Sequence, residues 1–286
     1  MTKNLRNQSS KSFDKNSKIK NNLDKVKHQI LIMSGKGGVG KSTVAVNLAL
    51  SLSMQENDVG LLDLDISGPN IPKMLNIEDA MLLRDTNGII PITLSSHLKV
   101  MSIAFLLKDK YTPVAWRVPL KMRVIEQFLG EVIWGKLDYL VIDFPSGTGD
   151  DTLSITQLIP NSSKVIIVTT SQDIALQDSK RVVNFAKTLN MPVIGIIENM
   201  SGFICPKCGY RTDLFKTGGA RRAASMLSVH FLGEVPFEPI IVETSDSGRP
   251  FVKEHSKSDL AKTFGEIVNK IEKFVNGGET NVQRTR

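Results

Sequence analysis

Gly35-Lys36-Gly37-Gly38-Val39-Gly40-Lys41-Ser42-Thr43 follows an apolar run that ends at Ser34 and opens a stretch with helical spacing, Ser42 to Gln55. Strand, glycine-rich loop and helix in that order satisfy the Walker A pattern. Glycines let backbone N–H groups converge on phosphate oxygens, and the helix that follows aims the positive end of its dipole at the same anion. Gly35, Gly37, Gly38, Val39, Gly40 and Thr43 make up this cradle with Lys36. Lys41 would neutralise charge on the β- and γ-phosphates, and the Ser42 hydroxyl would ligate Mg²⁺. The loop predicts a P-loop ATPase.

Working outward, short runs rich in Val and Ile recur at His28 to Ser34, Val59 to Asp63, Leu98 to Ala104, Leu137 to Asp143, Lys164 to Thr170, Pro192 to Glu198 and His230 to Val235. Runs apolar at consecutive positions are strands buried on both faces, which parallel sheets require. Asp173 to Leu189 has helical spacing and, like Ser42 to Gln55, serves as a crossover. The expected fold is a doubly wound α/β domain, a mainly parallel sheet flanked by helices, over residues 27–276. Cys, Pro and Gly break the rhythm at 203–219, which reads as an insertion between a strand and a helix.

The chain has 286 residues, 41% hydrophobic and 23% charged, the balance of a globular protein with a substantial core. Its net charge of +7 is local. Residues 1 to 28 hold eight Lys/Arg against Asp14 and Asp24, so six of the seven charges sit there and the body is nearly neutral. Nucleic-acid binding is therefore not expected of the body. Residues 1–26 read as a disordered basic tail, and 277–286 as a flexible polar one. No apolar stretch follows the basic residues as a secretory signal would, and no run reaches membrane-spanning length. A cytoplasmic protein without stable membrane association is expected.

Carboxylates close two of the strands. Asp63 and Asp65 end the second, and a carboxylate there lies on the ligand side of an open α/β sheet; two aspartates after a strand are also common turn formers and helix caps. Asp138-Tyr139-Leu140-Val141-Ile142-Asp143 reads as a Walker B strand whose Asp143 holds the Mg²⁺ shell, followed by a turn that can present the Gly147 amide to a γ-phosphate. No Asn-Lys-x-Asp motif follows the later strands: Asn269-Lys270 lies in the terminal helical pattern and Glu272 replaces the required Asp. ATP is preferred over GTP.

Cys205 and Cys208 are the whole cysteine complement. Half of a zinc knuckle, a redox disulfide, inert thiols and a shared metal site are all open readings of one Cys-x-x-Cys. A four-iron cluster or a tetrahedral zinc takes four ligands, so a pair of thiolates needs a second pair.

Lys36, a second lysine in the loop, resembles the deviant Walker A of the MinD/ParA/nitrogenase iron-protein class. Asp63 to Leu75, Trp116-Arg117, Glu198-Asn199-Met200-Ser201, Cys205 to Gly209 and Gly233-Glu234-Val235-Pro236 together resemble the Mrp/ApbC family of iron-sulfur cluster carrier ATPases, from about residue 25 to 275. The resemblance implies a homodimer in which Lys36 reaches the partner's nucleotide. It implies that Asp65 orients the attacking water, that Asn199 contacts adenine, and that Cys205 and Cys208 of two copies hold a bridging iron-sulfur cluster of the four-iron, four-sulfur kind, destined for apo iron-sulfur proteins. Ser146 stands where that family usually has proline, and Val118 where it usually has glycine. The alternative is a MinD/ParA-like dimerisation switch on membrane or DNA. Its candidate feature is an apolar stripe of Leu260, Phe264, Ile267, Val268, Ile271, Phe274 and Val275 flanked by lysines.

Overall fold

A computed structural model describes residues 16–107, 116, 118–205 and 207–277. In chain order the elements are β1 (Val26–Met33), α1 (Lys41–Ser53), β2 (Val59–Asp63), α2 (Ile71–Met74), β3 (Leu83–Arg84), β4 (Ile89–Ile90), β5 (Ile92–Ser95), β6 (Leu98–Ser102), α3 (Val118–Glu131), β7 (Leu137–Asp143), α4 (Asp150–Thr156) and β8 (Lys164–Thr169). There follow α5 (Asp173–Thr188), β9 (Val193–Ile204), β10 (Arg211–Thr212), α6 (Gly219–Leu227), β11 (His230–Phe237), α7 (Pro239–Asp246), α8 (Phe251–Glu254) and α9 (Asp259–Val275).

The main sheet runs β5-β6-β2-β7-β1-β8-β9, and β9 also pairs with β11 and β10. Among the described residues of this sheet only the pairs β5–β6 and β9–β10 are antiparallel and the others are parallel, as the expected doubly wound fold requires, while β3 and β4 form a separate antiparallel pair. Alternation along β1 explains why so many strand residues are apolar. Leu31 and Met33 join a core with Phe128 of α3, Ile155 of α4 and Val182 of α5, whereas Ile30 and Ile32 join one with α1 and α9 on the opposite face. Burial of a large apolar side chain is worth about 1.5–3 kcal/mol, and Leu260, Phe264, Ile267, Val268 and Ile271 of α9 all contribute to the second core. The stripe that could have faced a membrane is thus a packing face. No helix among the described residues is long and apolar enough to cross a membrane.

Two boundaries differ from expectation. The basic segment does not run unstructured to residue 26: residues 16–23 are helical, with Ile19 and Leu23 buried in the first core. Asn22 locks this turn in place by donating from Nδ2 to the carbonyls of Leu129 and Val132, both at 2.9 Å. The apolar signal was only two residues spaced i, i+4, which lysine and asparagine obscured. Residues 1–15 and 278–286 lie outside the described part. Second, β9 continues past Glu198 to Ile204 and absorbs the start of the insertion placed at 203–219. It does so through an irregularity in which Met200 and Gly202 take φ of 57° and 77°.

Candidate functional site

The sheet order brings the motifs together. β1 lies between β7 and β8, and β7 lies between β1 and β2, so the loop after Met33 and the carboxylates ending β2 and β7 share one crevice at the strands' C-terminal ends. In register, Asp63 faces Asp143 across β2–β7, and Ser102 faces Asp63 across β2–β6.

Lys41 is nine-tenths buried at the start of α1, with Nζ 2.6 Å from Asp143 Oδ1 and 3.3 Å from Asp65 Oδ2. Ser42 Oγ donates to the other Asp143 oxygen at 2.5 Å. Asp63 accepts from Ser102 Oγ at 2.9 Å and from the Asp65 amide at 3.1 Å, which fixes where the Asp65 backbone begins its turn. Burial opposes the charge on Lys41, but Asp143 and Asp65 outweigh it and hold the ammonium above its usual range. Burial, with the charge of Asp143 added, pushes Asp63 up to about 8 against the Ser102 hydrogen bond. Burial pushes Asp143 up too, while Lys41 and Ser42 hold it against that push. At neutral pH Asp63 keeps its proton, and Asp143 is the carboxylate that pairs with Lys41. The Ser42 hydroxyl and the Asp143 carboxylate are adjacent hard oxygen donors, the chemistry that Mg²⁺ selects.

The rest of the loop is shaped from outside. Gly40 has φ of 80°, and a Cβ there would lie 2.1 Å from Asn199 Nδ2; only glycine admits this contact. Asn199 Nδ2 donates to the Val39 carbonyl at 2.8 Å, and the Val39 side chain is buried in the core. A Cβ on Gly35 would stand 2.5 Å from the Asp178 backbone of α5. One on Gly37 would face the Ser146 hydroxyl at 3.7 Å, so Ser146 borders the cradle. Lys36 Nζ donates to Gln172 Oε1 at 3.0 Å within the same chain. The Gly147 amide, expected to face a phosphate, instead donates to the Ser34 carbonyl at 2.8 Å. Val118 is the exposed first residue of α3, and Arg117 lies outside the described residues.

Beside Gly40 and Thr43 a cavity of about 360 Å³ opens, and its lining includes Asn70, Asn199, Pro236, Phe237 and Ile241. Its size and mainly apolar walls suit a purine base. Sequence reasoning singled out Asn199; Asn70 and Pro236 were legible only as parts of the Asp63–Leu75 and Gly233–Pro236 stretches, and Phe237 and Ile241 were missed. The cysteines lie elsewhere. Cys208 is exposed and Cys205 partly so, in a turn where Cys205 N–H donates to the Tyr210 carbonyl and Gly209 N–H to that of Cys205. Backbone N–H groups of Cys208 and Lys207 hold the Cys205 thiol below its usual range. Ile204, Tyr210 and Leu214 around them are more than half exposed. No cluster of three or more His, Cys, Asp or Glu able to hold a metal occurs among the described residues.

The model of the ParA family described as NUBPL iron-transfer P-loop NTPase matches residues 25–272. The chain belongs to that family. It is 50% identical over 260 residues to an iron-sulfur cluster carrier protein of Methanocaldococcus jannaschii, covering 91% of this chain and 89% of that one. It is 43% identical over 253 residues to a cytosolic Fe-S cluster assembly factor Nubp2 homolog of Anopheles gambiae, covering 87% and 98%. Among solved structures, a nucleotide-binding protein of Archaeoglobus fulgidus in complex with ADP superposes with a TM-score of 0.75 at 38% identity, over 87% of this chain and 96% of that one. MinD of Pyrococcus furiosus follows the same fold at 24% identity, with a TM-score of 0.64 over 86% and 99%. As a member of that family, the chain is a P-loop NTPase.

Proposed function

We propose that this NTPase is an ATP-hydrolysing carrier, working in the cytoplasm, that receives an iron-sulfur cluster on Cys205 and Cys208 of two copies and passes it to apo iron-sulfur proteins. One observation carries the reading: a P-loop crevice with Lys41, Ser42 and Asp143 in contact accompanies a solvent-accessible thiol pair with half the ligands a four-iron cluster takes. The names of the Methanocaldococcus and Anopheles relatives support it, and the burial of the α9 stripe removes the feature that favoured a membrane switch.

The chain's own residues divide the work. Lys41 turns from Asp143 and Asp65 to the β- and γ-phosphates. Ser42 and Asp143 would hold Mg²⁺, which would offset charge on the phosphate oxygens. Asp65, freed of Lys41, orients a water for attack on the γ-phosphorus, breaking its bond to the bridging oxygen to leave ADP and phosphate. Gly147 exchanges the Ser34 carbonyl for a phosphate oxygen. Lys36 leaves Gln172 for the partner's nucleotide, which makes nucleotide binding and pairing of the two thiol pairs one event. Adenine lies in the cavity beside Asn199.

Anaerobic reconstitution with ferrous iron and sulfide tests this. A broad visible absorption, about two irons per chain, and a dimer by light scattering with an ATP analogue are expected. A strict monomer that takes up no iron would sink the proposal.

A further inference from the structure

Glu198 is wholly buried, and no step above uses it. Its carboxylate accepts three hydrogen bonds: Oε1 from Ser201 Oγ at 2.6 Å and from the Gly218 amide at 3.0 Å, and Oε2 from the Ala220 amide at 2.8 Å. Ser201 stands at the entrance of the segment that carries both cysteines. Gly218 and Ala220 stand at its exit, where α6 begins. That helix has no side-chain cap of its own at Gly218, so Glu198 supplies one from a different element, with the sign its dipole favours. A single carboxylate therefore ties together both ends of the loop over 201–218.

The next residue faces the other way. Asn199 holds the Val39 carbonyl and touches Gly40, inside the phosphate loop. Between the two anchors and the thiols β9 is bent, with Met200 in the left-handed region that a non-glycine side chain adopts at a cost of about 1–2 kcal/mol. A segment held in that shape transmits displacement rather than absorbing it.

We propose that Glu198 is the positioning residue that joins the two sites: it fixes the ends of the cysteine segment to the strand position whose neighbour reads the phosphate loop, so occupation of that loop alters the Cys205–Cys208 pair. This rests on the carrier reading for the purpose of the thiols, though not for the coupling itself.

The test is alkylation of Cys205 and Cys208 in the full chain by N-ethylmaleimide, followed by mass spectrometry with and without Mg-ADP. In the wild type the nucleotide should change the alkylation rate by about fivefold, the lower end of coupling between sites. In Glu198→Gln, where an amide N–H₂ replaces one acceptor, the ratio should fall towards one while ADP affinity stays within about twofold. A merely structural glutamate would lower the melting temperature and leave the ratio unchanged, and that result in a folded Glu198→Gln protein overturns the proposal. Should that variant not fold, Ser201→Ala removes one bond of the three and should lower the ratio by less; an unchanged ratio there overturns it equally. A wild-type ratio of one refutes the coupling even in protein that takes up a cluster. Conversely, failure of iron uptake with the ratio intact refutes the carrier reading alone.

Discussion

The phosphate loop and the cysteine loop are built by opposite means. Lys41 and Asp143 are buried and tied to each other, Asp63 is buried beside them on a hydrogen bond from Ser102, and the glycines around them are shaped by Asn199 and by α5. Cys205 and Cys208 rest on an exposed turn held by two backbone hydrogen bonds and surrounded by exposed Ile204, Tyr210 and Leu214. On the proposed function, the second supplies half the ligands of a four-iron cluster. The difference shows that preorganisation is placed where charge must be stabilised, and openness where another molecule must enter.

If the cysteine loop is half a site, removing both thiols should empty it without reaching the other. Cys205→Ala/Cys208→Ala should retain only background iron after reconstitution, while calorimetric ADP affinity of the cluster-free protein stays within about twofold. A large loss of nucleotide affinity there would mean that the two regions are not separable.

On the buried side, Lys41→Ala should cut phosphate release by a factor of 100 or more, the scale of losing one preorganised charge at a transferring phosphoryl group. Undiminished turnover in that variant would remove the crevice from the chemistry. The variant also strands Asp143 without its cation, so a weaker fold is expected in the empty state.

A pH titration sharpens the contrast, because the phosphate side buries Asp63 and Asp143 next to each other. Folded Asp63 keeps its proton up to about 8, whereas an unfolded aspartate loses it near 3.8. Between those values the folded state binds the extra proton, so metal-free protein should be most stable below about pH 4 as far as this group is concerned, and should lose that contribution as pH rises towards about 8. Asp63→Asn should flatten the slope in chemical denaturation. An unaltered slope would show that Asp63 is not the group responsible.

Much of the buried half was legible in the sequence. A phosphate cradle is made by consecutive residues, and a strand buried on both faces announces itself as an unbroken apolar run ending in Asp143. What stayed hidden is what distant residues do together. Asn199 reaches a carbonyl 160 positions away, Phe237 and Asn70 meet only across the folded cavity, and Glu198 closes a loop whose ends no periodicity marks. The helix over 16–23 was invisible for another reason: two apolar residues in a lysine-rich stretch do not make a pattern until the groove that receives them exists.

The smallest expected effect probes that helix, remote from both sites. Asn22→Ala leaves the Leu129 and Val132 carbonyls short of a donor and should cost about 1–3 kcal/mol of stability by urea denaturation. ADP affinity and iron uptake should be unchanged.

The bend in β9 has a consequence for how this segment can vary in length. From Asn199 to Phe203 the strand advances four residues while β11 advances two, Val235 to Phe237. The surplus is even, so the alternation of faces resumes in phase beyond the bend. Adding or deleting one residue there would turn Ile204 and Cys205 to the opposite side of the sheet, whereas adding two would only enlarge the bend. Length variation between Asn199 and Phe203 is therefore quantised in pairs, a parity rule that chains with one-residue changes at this point would have to break.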